Sequence, residues 1–249
     1  MNSINNWLLS NKLTLNVAKS HYLIFSRNKS IPSNILPIKI NDKILDLKKS
    51  TNYLGLNIQN NLKWDNHVNY ISNKLHKFNS ILYLTRDYLN RSSLLSIYHS
   101  LVYSCLSFSN IIWGKTSQRN TNKLIRDQKK IIRTIMYRNR SHHTCADFQN
   151  LEILNIKNIN KYFAGIFVYK SLHNLCYPQN YFFTSDHFIN NYNLGNSNNL
   201  RPPHARTNQG QSSPSIYCCH VWNVIPYEIR TKPSVPSFKF ALRRHLLNS

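Results

Sequence analysis

The 249-residue sequence predicts an α+β fold that is mostly helical. Before about residue 62, short runs alternate between apolar and polar residues, as in half-buried strands. After that point, apolar residues recur three or four positions apart, as on one face of a helix. With 41% hydrophobic residues the chain can bury a sizeable core. We therefore expect a small β region followed by a larger helical region.

The first 62 residues predict one short helix and a small sheet. The helix ends near Leu8, and the expected strands are Lys19–Ser26, a hairpin over Pro37–Leu47 that turns at Asn41 and Asp42, and the run NYLGLNI. That last run contains Gly55, although the chain has only 5 glycines. A glycine inside a strand indicates either a bulge or a close approach of another backbone or ligand. The sequence pattern leaves both explanations open.

The remainder predicts a helical bundle with a polar interruption. The first expected helix begins at Asp65. Four more are expected at roughly 92–113, 118–137, 156–175 and 238–247. The second is apolar nearly all round, which predicts a position in the middle of the bundle and an end at Gly114. The predicted divisions are 1–62, 63–140, 141–182, 183–214 and 215–249. Asn, Ser, Pro and Gly dominate 183–214, so we expect a disordered or lid-like connector there.

Charge is the most unusual property of this chain. It carries 32 Lys and Arg against 9 Asp and Glu, a net charge of +23. Self-repulsion of that size predicts an anionic partner, either nucleic acid or an anionic membrane. The 5 cysteines have no disulfide-framework spacing, and no signal peptide or membrane span is recognisable. We expect an intracellular protein in a reducing compartment, without resolving nucleus from cytoplasm.

The third predicted helix concentrates positive charge on one face. At the helical period, Arg119, Lys123, Arg126, Lys130 and Arg133 fall on one stripe with Lys129 at its edge, and these six residues are here called the basic row. Leu124, Ile131, Ile132, Ile135 and Met136 fall on the opposite face. Solvated faces normally interleave Glu with Lys, but the only acid in this helix, Asp127, lies off the stripe. Phosphate contact is therefore favoured over a merely solvated face.

The sequence shows no constellation for independent catalysis. The nine acids are scattered, so no cluster could hold the metal ions of phosphoryl transfer. Neither His142–Cys145 nor Cys218–His220 has the ligand spacing of a zinc site, and packing or surface roles are favoured for both. No glycine-rich phosphate loop or nucleophile motif is present. We expect neither a metal nor another cofactor in this chain.

In order, several segments resemble the reverse transcriptases of non-LTR (LINE-type, jockey-like) retrotransposons, downstream of that family's catalytic Asp-Asp box. WLLSNKLTLNVAKSHYLIFS is similar to the family's motif D, and TNYLGLNIQNNLKWDNHV to the segment that follows it. IIWGKTS, LIRDQKKIIRTI and HHTCADFQNLEIL resemble the thumb and post-thumb helices. VWNVIPYEIR and FKFALRRHLL resemble the tail. The resemblance covers nearly the whole chain.

This resemblance implies a palm remnant, a helical thumb and a helical C-terminal extension that hold template–primer nucleic acid. Tyr53, Leu54 and Gly55 would lie at the primer's 3′ end, with Gly55 as the close-approach residue. Lys19 matches the motif D lysine, a possible general acid for the leaving pyrophosphate, although a lysine at a strand edge is an equal alternative. The following position is Ser20 where the family has Thr. Mg²⁺, the catalytic carboxylates and the rest of the palm and fingers would be supplied from outside this chain, which alone is expected to bind without polymerising.

Two other functions stay open at this point. The chain could be a stand-alone, sequence-nonspecific RNA- or DNA-binding protein, or a nonfunctional relic that cannot fold without the palm. Trp64 is expected to pack at the start of its helix rather than to stack on a base. His67, one turn later, is expected either to touch phosphate or to face solvent.

Overall fold

A computed structural model describes residues 2–26, 37–40, 43–176 and 199–248. The fold is α+β and mostly helical, which confirms the predicted class. The chain divides into two compact units, Met1–His67 and Val68–Ser249. The first contains every strand that the structure defines, and the second is built from helices.

The first unit consists of a helix and short paired strands. Its elements are α1 (Asn2–Ser10), a 3₁₀ turn (Val17–Lys19), β1 (His21–Tyr22), β2 (Lys39–Ile40), β3 (Lys43–Ile44), β4 (Asp46–Leu47), β5 (Ser50–Tyr53) and β6 (Leu56–Gln59). β1 pairs in parallel with β4, whereas β2–β3 and β5–β6 are antiparallel. The expected hairpin is thus formed by β2 and β3, although its turn at Asn41 and Asp42 lies outside the described residues. The predicted strand Lys19–Ser26 is wrong in extent, because only two of its residues pair.

NYLGLNI is a hairpin rather than a single strand, and this corrects the sequence prediction. Tyr53 pairs with Leu56, so Leu54 and Gly55 form a two-residue turn. Both have left-handed backbones, with φ of 47° at Leu54 and 82° at Gly55. Two positive φ values define the type I′ turn, whose twist matches that of the paired strands. Gly55 is therefore explained by turn geometry, and the bulge is ruled out.

α2 (Asp65–Thr85) begins where predicted. Its expected apolar stripe is buried at Val68, Ile71, Leu75 and Leu82. His67 is only 2% exposed, and its Nδ1 accepts the Asn57 N–H at 3.3 Å. Neither role expected of His67 is therefore correct, because it anchors β6 to the start of the helix.

Trp64 packs near this helix start, as expected. Its ring meets that of His67 edge-on, with the ring centroids 6.2 Å apart.

The helix predicted over 92–113 is broken into pieces. It comprises α3 (Arg91–Ile97), a π-helical segment (Tyr98–Tyr103), α4 (Ser104–Ser107) and α5 (Asn110–Trp113). Ser109 separates the last two with a left-handed φ of 48°. Serine hydroxyls of this segment bond backward, as Ser107 Oγ does to the Ser104 carbonyl at 3.1 Å, and such bonds compete with regular helix geometry.

α5 ends immediately before Gly114, as predicted, but the reason differs. Gly114 has an ordinary right-handed conformation, so no left-handed cap is required. A Cβ atom there would lie 2.5 Å from the Asn110 carbonyl oxygen and 2.8 Å from Asn160 Oδ1. The Gly114 carbonyl also accepts Asn160 Nδ2 at 2.6 Å. Glycine is needed here because a Cβ atom would collide with Asn110 of the preceding turn as well as with the Asn160 side chain of a neighbouring helix.

That neighbour, α8 (Ile156–Leu172), occupies the middle of the second unit. It packs against α4, α5, α6, α10 and α12, whereas the sequence had favoured 92–113 for this position. The remaining helices are α6 (Gln118–Ile135), α7 (Cys145–Asn150), α9 (Asn208–Gln211), α10 (Pro214–Val224), α11 (Tyr227–Arg230) and α12 (Val235–Leu247). None of the described helices is both long and apolar enough to cross a bilayer.

In the described part of the predicted connector, 199–214, Leu200 is packed, and the other side chains that the structure describes are half-buried or exposed. Leu200 is fully buried, and its N–H and C=O both bond the side chain of Asn223 at 2.8 Å. Residues 183–198 lie outside the described part of the chain. The disordered or lid-like connector therefore stays a prediction.

Candidate nucleic-acid interface

α6 displays the predicted division between a cationic and an apolar face. Ser117 caps its start by accepting the Asn120 N–H at 3.3 Å. Leu124, Ile131 and Ile132 are fully buried, and Ile135 nearly so, whereas Met136 is half-buried. This apolar face holds the helix against the core and turns the basic row outward.

The structure brings the six residues of the basic row onto one surface. Arg119, Arg126 and Lys130 are exposed, and the other three are half-buried. Lys123 Nζ donates to Asn69 Oδ1 at 2.7 Å, and Arg133 Nε to the His142 carbonyl at 3.0 Å. These acceptors are neutral. Within the described ranges, no carboxylate oxygen lies within 4.0 Å of a charged nitrogen of the row.

The only acid of α6 faces inward. Asp127 is 4% exposed and accepts Ser72 Oγ at 2.6 Å, while His76 Nε2 lies 2.9 Å from its other oxygen. Both partners belong to α2. Asp127 therefore joins two helices and makes no contact with the outward-facing cations.

Asp127 belongs to a row of polar contacts between α2 and α6, here called the polar seam, which fixes which face of α6 is turned towards α2. Asn69 meets Lys123, Ser72 meets Asp127, and Asn79 Oδ1 accepts Thr134 Oγ1 at 2.8 Å. Since residue numbers rise together in these pairs, α2 and α6 run parallel. Sequence reasoning missed this seam. The recurrence of polar residues at 69, 72, 76 and 79, beside the apolar stripe of α2, was the available signal.

Gln128 anchors the inner face of α6 to two other elements. It is fully buried, and its Nε2 donates to Tyr98 Oη at 2.8 Å and to the Leu154 carbonyl at 2.9 Å. Its Oε1 accepts the Ile156 N–H at 3.0 Å, at the start of α8. Burial raises the pKa of the Tyr98 phenol, and the hydrogen bond from Gln128 acts in the opposite direction. This network was also missed from the sequence.

The dimensions of the basic row suit a phosphate backbone. From Arg119 to Arg133 the helix rises about 21 Å, at about 1.5 Å per residue. A nucleic-acid strand of B form carries one phosphate per about 3.4 Å of axis, so that length faces about six phosphates. Row and strand therefore have matching lengths and comparable numbers of charges.

Lys19 lies in the first unit and is not part of a strand. It ends the 3₁₀ turn, is exposed, and its N–H donates to Asn16 Oδ1 at 3.2 Å. His21 Nδ1 lies 3.3 Å from the Lys19 carbonyl, and His21 Nε2 bonds Thr51 Oγ1 on β5. Because the carbonyl can only accept, Nδ1 carries the proton in this arrangement. His21 therefore ties Lys19 to the strand that leads into the hairpin turn, a link that the sequence did not reveal.

Tyr53, Leu54 and Gly55 come together at the tip of the β5–β6 hairpin. Tyr53 is 62% exposed and Leu54 is 78% exposed. The tip thus presents an aromatic and an aliphatic side chain on a turn with a strained leucine backbone. Like Lys19, these residues belong to the first unit, whereas the basic row belongs to the second.

A second basic surface lies around α10. A groove of about 1080 Å³ is bordered by Lys115, Arg201, His204 and His220, and no Asp or Glu is among the described residues that line it. Lys115 Nζ lies 5.3 Å from the centre of the Tyr217 ring. The sequence had assigned two of these residues, Arg201 and His204, to a connector, so this surface was not predicted.

The residues weighed as metal ligands do not form a metal site. Among the described residues, no three His, Cys, Asp or Glu side chains are grouped to hold an ion. His142 Nε2 instead lies 3.1 Å from a carboxylate oxygen of the buried Asp147. Cys218 and Cys219 are buried, and burial raises the pKa of both thiols. These residues offer no group of carboxylates that would fit Mg²⁺.

Comparison of the chain with protein-family models, with curated proteins and with solved structures finds no match.

Proposed function

We propose that this chain binds the sugar–phosphate backbone of a nucleic-acid duplex through the basic row of α6. The observation that carries the proposal is a row of six cations on one helix, without a carboxylate partner among the described residues. Neighbouring like charges destabilise a helix, and phosphates lying along the row would remove that repulsion. Backbone contacts of this kind position a duplex without reading its sequence.

The proposal includes a role within a reverse transcriptase of the non-LTR type. It is supported by the ordered resemblance of the sequence segments and by the exposed hairpin tip at Tyr53 and Leu54. The first unit also leaves large apolar side chains exposed, including Trp7 at 60% and Phe25 at 57%. A partial palm would expose such surface to the strands that complete it. Lys19 would act as general acid and the hairpin tip would hold the primer, with template and primer as the bound partners.

The basic row is tested by neutralising three of its cations. The triple variant carries Lys123→Gln, Arg126→Gln and Lys130→Gln. We expect the slope of log affinity against log salt concentration to become less steep by about 2 to 3, because each phosphate contact contributes about 0.9 to that slope. Fluorescence anisotropy with a labelled duplex across a salt series measures this.

A matched control separates the basic row from net charge. Arg91→Gln, Lys161→Gln, Arg244→Gln removes the same three charges from exposed positions on α3, α8 and α12. We expect its salt slope to stay close to the wild-type value. Equal slopes for both triple variants would reduce the basic row to a solvated face.

A stand-alone binding protein is the second candidate, favoured by the large buried core of the second unit. It predicts a monomer that binds duplex unaided, whereas a nonfunctional relic predicts aggregation. Circular dichroism with light scattering separates these two. Mapping the transcript's 5′ end and reading the frame before Met1 tests the polymerase role, which needs an aromatic-Ala-Asp-Asp box there.

A further inference from the structure

The C-terminal end of α6 carries an aromatic residue in a strained backbone. The helix ends at Ile135, and Tyr137 follows with a left-handed φ of 53°. The Arg138 N–H then bonds the Arg133 carbonyl at 2.9 Å, the pattern of a helix end that glycine usually provides. For an aromatic residue this conformation costs free energy that glycine would save. Strain of this kind suggests a function for the side chain that it positions.

Arg86, which directly follows the end of α2, lies against two tyrosine rings, those of Tyr83 and Tyr137. The guanidinium carbon of Arg86 lies 4.3 Å from the centre of the Tyr83 ring and 4.9 Å from the centre of the Tyr137 ring. The Tyr137 hydroxyl donates to the Arg86 carbonyl, which fixes the ring in place. Tyr83, Arg86 and Tyr137 are here called the Tyr–Arg–Tyr stack.

Both rings of the stack are also open to solvent. Tyr83 is 55% exposed and Tyr137 is 54% exposed, while the Arg86 side chain is only 24% exposed. The guanidinium thus occupies one side of each ring and leaves ring surface accessible. Rigid aromatic surface of this kind is what successive bases stack on in proteins that bind single strands.

The position of the stack decides between a base and a phosphate as its ligand. Tyr137 follows Arg133, the last cation of the basic row, by four residues. The C-terminal end of a helix carries partial negative charge, which disfavours a phosphate there. A neutral base has no such penalty. Arg86, whose Nε lies 3.6 Å from Asp87 Oδ1, holds the two rings by cation–π contacts.

We propose that the Tyr–Arg–Tyr stack binds an unpaired nucleobase of a single-stranded extension on the duplex held by the basic row. This inference rests on the proposed function and narrows its ligand to a duplex that continues as a single strand. The duplex portion contributes phosphates to the basic row, and the first unpaired base stacks on the exposed ring of Tyr137.

The test compares three labelled probes by fluorescence anisotropy: a blunt duplex, the same duplex with a short single-stranded extension, and that extended duplex with abasic sugars in the extension. The abasic probe keeps the added phosphates but has no bases to stack. The full chain should bind the base-bearing extension about tenfold more tightly than the abasic one, as a stacking energy of about 1.4 kcal/mol gives. Equal binding of the two extended probes overturns the inference.

Two variants separate stacking from a structural role of the tyrosine. Tyr137→Gly removes the ring but relieves the left-handed strain, so it should lose the preference for bases while its melting temperature does not fall. Tyr137→Phe keeps the ring and should keep the preference. If Tyr137→Gly still prefers the base-bearing extension, Tyr137 is not the stacking residue and the inference fails. If the chain binds none of the three probes, the proposed function fails as well, so the two failures are distinguishable.

Discussion

In the first unit, Leu45 and Leu56 are the only apolar side chains that are buried among its described residues, whereas the second unit buries many, including Trp113, Tyr98 and Phe238. Fully burying a large apolar side chain is worth about 1.5 to 3 kcal/mol. Helix packing around α8 can therefore stabilise the second unit by itself. The first unit gains little from burial and depends on short strand pairs, so it should be the less stable of the two.

The largest loss of stability is expected from Gln128→Ala, a change in the core of the second unit alone. The change leaves the Tyr98 hydroxyl, the Leu154 carbonyl and the Ile156 N–H without their partner in a buried position. At about 1 to 3 kcal/mol per unsatisfied group, the loss of stability should reach about 3 to 5 kcal/mol. Chemical denaturation followed by circular dichroism measures it.

Hydrogen exchange then shows whether the two units respond separately. Amides of α6 and α8 should lose protection in Gln128→Ala, while those of the β5–β6 hairpin should not change. Gln118→Ala is the matched control, because Gln118 begins the same helix and is exposed. A comparable loss of protection in the hairpin would mean that the two units unfold together.

Alkaline pH should weaken the second unit through its buried thiols. Burial raises the pKa of Cys219 from its ordinary value to about 11. Above the ordinary value the unfolded thiol releases its proton while the folded one keeps it, so the folded state binds more protons. Stability should therefore be unaffected up to about pH 9 and then fall as the pH rises towards 11.

Denaturation curves at a series of pH values test this, with Cys219→Ala as the comparison. The variant should lose less stability across that pH interval than the wild type. A wild-type stability that rises between pH 9 and 11 would contradict the expected sign.

The smallest effect, and an increase in stability, is expected in the first unit. Leu54→Asn places a residue that tolerates a left-handed backbone at the turn position where φ is 47°. We expect a gain of about 0.5 to 1 kcal/mol in the stability of the hairpin, read from exchange of the β5–β6 amides.

Leu13→Asn provides the control for polarity, because Leu13 is also an exposed leucine of the first unit but has no left-handed backbone. Its effect should stay within about 0.5 kcal/mol. If both substitutions change hairpin protection equally, the strain at Leu54 contributes nothing measurable.

Periodicity alone identified α6, α8, α12 and the buried stripe of α2, because a helix that packs on a core repeats its apolar residues at a fixed interval. It placed all six residues of the basic row on one helix for the same reason. Local pattern also located the hairpin formed by β2 and β3. It failed at NYLGLNI, where Leu and Gly look like strand interior and only their positive φ values reveal a turn.

Hydrogen bonds between residues distant in sequence were beyond such reasoning. In the sequence, Gln128 resembles any exposed polar residue of a helix, and only the structure shows its hydrogen bonds to Tyr98 and Ile156. Asp127 likewise resembles a surface acid, and only the structure shows that it accepts a hydrogen bond from Ser72. The predicted helix over 92–113 likewise breaks in a segment where serine hydroxyls bond the backbone. The spacing of apolar residues does not reveal such hydrogen bonds.

The sequence by itself determined the α+β class, the charge of +23 and the two-faced character of α6, since composition and helical period are properties of consecutive residues. Only the tertiary structure decided which helix lies in the centre, why Gly114 must lack a side chain, and how Tyr137 meets Arg86. These depend on distances between segments far apart in the chain. Close packing and buried hydrogen bonds set those distances, and neither can be read from a single stretch of residues.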